Sequence, residues 1–163
     1  MQVTKNKVVG IHYTISTENN EMVYSTVAYE PEEFVLGSFS IFPLVAKALE
    51  GHQVGDEVEV ILEPSNAYGI KNEKLIYSLD NNLFNNLETF EIGSRIQVPG
   101  GSEARLLQKN NTHILVDANH PLAGEQLHYK IYIASIREAT SNEIKWGRTE
   151  QEIRVCSNQP GCC

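Results

Sequence analysis

Asn119-His120-Pro121-Leu122-Ala123-Gly124 joins two segments of unlike character. Upstream runs the short apolar segment Ile114-Leu115-Val116. Downstream, Leu127, Tyr129, Ile131 and Ile133 alternate with His128, Lys130, Tyr132 and Ala134. Period-two alternation over that length marks a half-buried β-strand. Pro121 and Gly124 are breakers, so the six residues form a turn-rich bridge between two strands.

Moving downstream, the long strand ends near Arg137, and Thr140-Ser141-Asn142-Glu143 can form a capping box opening a short C-terminal helix. The tail from Trp146 to Cys163 lacks periodicity, contains Pro160-Gly161, and is expected to be flexible. Upstream, residues 70–124 are rich in Asn and carry short apolar runs at Leu75-Ile76, Leu83-Phe84, 96–98, 104–107 and 114–116. Pro99-Gly100-Gly101 and Asn110-Asn111 are turn signals between them. This is the texture of a small β-rich unit with short hairpins. Its strands are interrupted too often to continue the pattern on either side, so it reads as a second domain inserted into the first.

The N-terminal part is more regular. Val9, Ile11, Tyr13 and Ile15 alternate as a strand, Asn19-Asn20 suit a tight hairpin turn, and Met22-Val23-Tyr24 begin the return strand. Phe34-Val35-Leu36-Gly37 is a short apolar strand after a loop containing Pro31. Pro43 opens the clearest helix, with Leu44, Val45, Ala48 and Leu49 on one face and Gly51 past its end. Gly55-Asp56 then leads into a strand with Val58, Val60 and Leu62 on one face and Glu57, Glu59 and Glu63 on the other.

The 163 residues suit one domain or two small ones, and the formal net charge is −8. That balance argues against nucleic acid or an anionic membrane as partner, since both need clustered Lys and Arg. No apolar run is long enough to cross a bilayer, and residues 1–10 hold no signal-peptide core. Cys156, Cys162 and Cys163 all fall in the last eight residues. An odd count confined to a tail is not a disulfide framework, and a reducing cytoplasm is the simpler setting.

Several blocks, in one order, resemble the SlyD-type FKBP proline isomerases. Residues 9–14 (VGIHYT) are similar to the first FKBP strand, which ends in a pocket tyrosine, here Tyr13. Residues 48–56 (ALEGHQVGD) resemble the family's helix exit and turn. Ala67-Tyr68-Gly69 matches the Ala-Tyr-Gly after the next strand. Residues 119–124 and Arg137-Glu138-Ala139-Thr140 match SlyD-type members in particular. Each block alone is weak; the ordered set, with an insert directly after Ala-Tyr-Gly, is strong and covers about residues 1–143.

The resemblance implies a β-rich α+β fold: an FKBP-like antiparallel sheet around a short helix, with an inserted small β-rich domain. Residues 1–69 and 125–143 would form the isomerase domain, residues 70–124 the insert-in-flap domain that binds unfolded chains, and residues 144–163 a short tail. It further implies peptidyl-prolyl isomerase and folding-chaperone activity on unfolded or proline-containing polypeptides. Nothing in the sequence suggests an obligate oligomer, so a monomer is expected. The reaction needs no cofactor. By family position the pocket wall would be Tyr13, Phe34, Ile41, Phe42, Val45, Tyr68 and Tyr129.

Two positions depart from the family. FKBPs usually carry an Asp shortly after the first hairpin, and Tyr24 stands there. They carry Gly-Leu-Glu or Gly-Trp-Glu at the helix start, where this chain has Leu44-Val45-Ala46, so Val45 replaces the large residue of the pocket floor. Either Tyr24 fills space left by Val45, or the pocket is degenerate; reduced but nonzero activity is expected. A non-catalytic holdase is the alternative.

In the insert, Leu75, Ile76, Tyr77, Leu79, Leu83, Phe84, Leu87 and Phe90 are dense in apolar side chains. Some must form a core, but a unit of about 55 residues has too much surface to bury them all. The remainder would form an apolar client-binding surface. Longer SlyD-type proteins end in His- and Cys-rich tails that bind nickel. This tail has three cysteines and no histidine, and the five histidines (His12, His52, His113, His120, His128) are scattered. No metal site is assigned, although Cys162-Cys163 could be a relic of one. A metal-delivery role is accordingly the weakest reading.

Overall fold

The computed structural model describes residues 1–38 and 40–157, with side chains to residue 155. The chain divides into two compact units, one of residues 1–67 together with the chain from Glu125 onward, the other of residues 68–124. Both are antiparallel and strand-rich, in keeping with the expected α+β class.

The first unit is built on two long strands, β1 (Lys7–Thr17) and β9 (Leu127–Glu138), paired along their full length. Along the other edge of β1 lie, in succession, β3 (Glu32–Val35), paired with residues 8–11, and β2 (Met22–Ser25), paired with residues 14–16. The free edge of β9 takes β4 (Glu57–Leu62), giving the order β2-β1-β9-β4 with β3 beside β1. The alternation read from the sequence is the burial pattern. Val9, Ile11, Ile15, Leu127, Ile131, Ile133, Val58 and Leu62 are buried. Asn20 turns the β1–β2 hairpin with φ of 60°, a left-handed conformation that Asn tolerates.

Gly10 pairs with Ser135 while Ile11 pairs with Ile133, so Ala134 is extra and the sheet bulges there. A Cβ at Gly10 would lie 2.3 Å from Ser135 Oγ, which explains a glycine inside the strand.

The helix α1 (Pro43–Leu49) has Pro in its first turn and buries Val45 and Leu49. Leu44, assigned to the buried face from spacing, is instead 40% exposed. Two turns of helix offer only a narrow inward stripe, and the i, i+4 pair Val45/Leu49 fills it. The turn beyond it is closed by Asp56, whose Oδ2 accepts from Gln53 N at 2.8 Å and lies 3.1 Å from His52 Nδ1. These contacts, the Gln53 amide first, hold the Asp56 carboxyl below its ordinary range.

After β9 the chain forms α2 (Ser141–Trp146), opened by the expected capping box at Thr140 and Glu143, and then α3 (Glu150–Ser157). The helix α3 corrects the expectation of a flexible tail through residue 157. A second, non-local tie accounts for it. Glu143, with no exposed surface, accepts both guanidinium nitrogens of Arg137 at 2.8 and 2.9 Å, and the amides of Thr140 and Glu150 at 2.9 Å each. One carboxylate thus joins the end of β9, the start of α2 and the start of α3. Glu33 on β3 adds a second acceptor for Arg137 at 3.0 Å.

The second unit has the order β5-β8-β7-β6, from β5 (Ile76–Asp80), β6 (Arg95–Gln97), β7 (Glu103–Lys109) and β8 (His113–Asp117). Ile96, Val98, Ala104, Leu106, Ile114 and Val116 form its core. Leu83 ends a 3₁₀ turn rather than lying in a strand. The block from Asn119 to Gly124 is tied within this unit. Asn119 Oδ1 accepts from Asn72 N at 2.8 Å, while its Nδ2 donates to Asn72 O at 3.0 Å and Asp117 Oδ1 at 2.7 Å. Gly124 N donates to Gly69 O at 2.8 Å, which closes the unit's two ends on each other.

The Glu143 carboxyl is lowered to about 2, with the Arg137 hydrogen bonds as the largest cause. A group lowered on folding contributes stability above its ordinary value, 4.5, and loses it as pH falls from there towards 2. Chemical denaturation across that window is expected to show about 3 kcal/mol of pH-dependent loss in the wild type. Glu143→Gln should flatten that slope. Arg137→Ala, which strands the buried carboxylate, should destabilise by about 3 kcal/mol at neutral pH in urea unfolding. Asn119→Ala leaves the Asn72 amide and carbonyl without that partner and should cost about 1–2 kcal/mol, read as faster hydrogen exchange in β5 and β8.

Candidate functional site

Tyr13 on β1 and Tyr129 on β9 are diagonal neighbours on one face of the sheet, since Tyr13 pairs with Ile131 and Tyr129 with Ile15. Their rings stack with centroids 6.0 Å apart and planes at 20°. Phe42, immediately before α1, sets its ring edge-on to Tyr129 at 6.3 Å and 81°. Tyr24, opposite Ile15 on β2, brings its ring to 5.6 Å from Tyr13. Four aromatic side chains from three strands and the helix entrance therefore form one continuous array, Tyr24–Tyr13–Tyr129–Phe42.

Phe34 is buried, and Ile41 is half-buried beside Phe42 in sequence. Val45 exposes no surface and belongs to the core. Tyr68 falls in the second unit, where its ring stacks on His120 with centroids 4.0 Å apart.

Glu32 was not among the residues selected. Its Oε2 accepts from Tyr13 Oη at 2.8 Å and its Oε1 from Tyr24 Oη at 2.9 Å. Nothing local in sequence signals this, because the contact depends on how β2 and β3 share the edge of β1. Burial, and then the bond to Glu32, push the Tyr13 phenol well above the ordinary tyrosine range. The bond to Glu32 is also the largest cause of the upward shift at Tyr24. Both phenols stay protonated at any physiological pH. Tyr13 is fixed at its backbone too: its N–H donates to Thr26 Oγ1 at 2.8 Å, and its carbonyl accepts from Thr26 N at 2.9 Å.

In the second unit, Tyr77, Leu79, Phe84, Leu87 and Phe90 pack against the core and Ile76 is half-buried. Leu75 and Leu83 remain exposed, Leu83 at 55%. Ile70 and Ile92, which sequence reading passed over, are more exposed still. Among the described residues no three His, Cys, Asp or Glu side chains gather as a metal site. The thiols of Cys156, Cys162 and Cys163 lie outside the described side chains. No described helix is long and apolar enough to cross a membrane.

Residues 1–100 match the family model for FKBP-type peptidyl-prolyl cis-trans isomerases. The chain is 33% identical to the FKBP-type peptidyl-prolyl cis-trans isomerase SlyD of Haemophilus influenzae over 150 residues, which cover 90% of this chain and 79% of that one. It is 31% identical to SlyD of Pasteurella multocida over 166 residues, covering 100% of this chain and 80% of that one. For SlyD of Escherichia coli K12 the identity is 29% over 168 residues, with 100% and 86% covered.

Proposed function

The chain belongs to the FKBP-type peptidyl-prolyl cis-trans isomerases of SlyD type, and from that premise we propose that isomerisation runs on the aromatic array of the first unit while the second unit holds client chains. The activity is peptidyl-prolyl isomerisation coupled to a chaperone function on proline-containing polypeptides. The observation that carries the site assignment is the continuity of the Tyr24–Tyr13–Tyr129–Phe42 array.

Rotation about a peptide C–N bond has a barrier of about 18–20 kcal/mol because amide resonance must be broken. No bond is made or cleaved, so no nucleophile is required. The twisted amide has lost resonance and much of its C–N dipole, and an apolar surface favours it over the planar form. Each gain of about 1.4 kcal/mol in that preference is a tenfold rate increase. Stacked aromatic faces supply such a surface and exclude water. In this reading Tyr13, Phe34, Ile41, Phe42 and Tyr129 shape the wall, and Val45 supports it from the core.

Client capture is assigned to the second unit around Leu75, Ile76 and Leu83. Tyr77, Leu79, Phe84, Leu87 and Phe90 form the packed layer beneath, which revises the even sharing of that role among all eight. Leucines left exposed on so small a unit suit extended apolar segments of a client. The net charge of −8 favours a chain that stays dispersed while holding clients. We read the protein as a cytoplasmic monomer acting on polypeptides rather than nucleic acid or membrane. Tyr24 at the family's Asp position and Val45 in place of a larger floor residue favour reduced catalysis, and taken further they favour a holdase without catalysis.

Proline-limited refolding of a reduced, unfolded protein, run beside a short proline peptide, tests the assignment. Phe42→Ala is expected to lower kcat/KM on the peptide about tenfold. Leu83→Ser is expected to lose more in protein refolding than on the peptide. Family-typical rates that Tyr24→Ala leaves unchanged would remove the case for a weakened pocket. Suppression of aggregation without acceleration of either reaction would establish the holdase reading instead.

A further inference from the structure

β3 and β2 occupy the same edge of β1 one after the other, with Tyr13 in the gap between residues 8–11 and 14–16. Glu32 stands opposite Ile11, and Tyr24 opposite Ile15. Side chains two apart on a strand share a face, so Glu32, Tyr13 and Tyr24 all point to one side of the sheet. Glu32 closes the gap there, one oxygen to each phenol, at 2.8 and 2.9 Å. Its neighbour Glu33 pairs with Arg137, but among the described residues Glu32 makes no ion pair. Its carboxylate is committed to the two hydroxyls.

We propose that Glu32 is a positioning residue for isomerisation, holding the Tyr13 and Tyr24 rings in register as one wall by tethering both hydroxyls at their tips. This rests on the isomerase reading given above. A stacked ring can still slide and tilt; a ring also held at its hydroxyl by a charged acceptor cannot do so freely. Both hydroxyl hydrogens are drawn to the carboxylate. What Tyr13 then offers a bound proline is its face and not a donor, which keeps the wall apolar where the amide twists. Tyr24 stands where the family carries an Asp, and Glu32 supplies a carboxylate to the same group of side chains from the next strand.

The test uses the full chain, with kcat and KM measured on a short proline peptide. Glu32→Leu should lower kcat about tenfold and leave KM within about twofold, because the wall acts on the twisted amide more than on the bound ground state. Glu32→Gln keeps one acceptor oxygen and should fall between. In a Tyr13→Phe/Tyr24→Phe background, which keeps the rings and removes the donors, adding Glu32→Leu should change kcat by less than about twofold, since the coupling runs through the hydroxyls. Tyrosine ionisation followed by ultraviolet absorbance should show two phenols returning towards the ordinary range in Glu32→Leu. A tenfold loss that persists in the Phe background, or no loss in the wild-type background, overturns the proposal and leaves the isomerase reading standing. A wild-type chain with no isomerisation above buffer overturns both. Thermal midpoints of all variants separate these outcomes from unfolding, and Glu32 is exposed enough for each to fold.

Discussion

Everything in the first unit depends on β9 being a central strand. It hydrogen-bonds along one edge to β1, from Lys7 opposite Glu138 to Thr17 opposite Leu127, and along the other to β4. The sheet therefore cannot close until the chain has passed through residues 68–124. An insertion of that length at that point would be costly if its ends were far apart, because Leu62 and Leu127 must meet as strand partners. The second unit removes the difficulty by being closed itself. Gly124 donates to Gly69, and Asn119 bonds the backbone of Asn72, so its entrance and exit are hydrogen-bonded neighbours. For the sheet, the insertion then behaves as a short loop.

This explains why the segment from Asn119 to Gly124 was so readable. Its Pro and Gly mark a turn, its Asn supplies a side chain that copies backbone hydrogen bonding, and a long alternating strand follows it. Local signals were faithful wherever the structure is locally determined: the alternation of β1 and β9, Asn20 in the hairpin, Pro43 at the start of α1, the capping box at Thr140. They failed where the deciding contact is distant in sequence. Leu44 looked buried because helical spacing does not say how wide the covered stripe is. The helix α3 was missed because Glu143 reaches the Glu150 amide only after Arg137 has fixed its carboxylate. Glu32 was missed because two phenols reach it across three strands.

Arg137 and Glu143 show how such a contact organises a terminus. A fully buried carboxylate is costly unless nearly all its lone pairs are used. Here a guanidinium fork and two helix-start amides use them. The geometry leaves little latitude, since the end of β9, the capping box of α2 and the first turn of α3 must all converge on one group.

The site illustrates the opposite freedom. A nucleophilic or acid–base centre loses its chemistry when one group is exchanged, because a specific atom must accept or deliver a proton. Twisting an amide asks only for a shaped, apolar, water-poor surface held still. A phenol at a position where the family carries a carboxylate changes the local polarity, but the requirement is met if the ring joins the wall and something else fixes its hydroxyl. Tyr24 joins the array, and Glu32 provides the fixing. On the proposed reading the wall does not work alone: a client held by the second unit would meet it at an effective concentration set by the linkage and not by bulk encounter. Modest affinity at the wall is then sufficient, and the demand on the wall narrows to the quality of its preference for the twisted amide over the planar one.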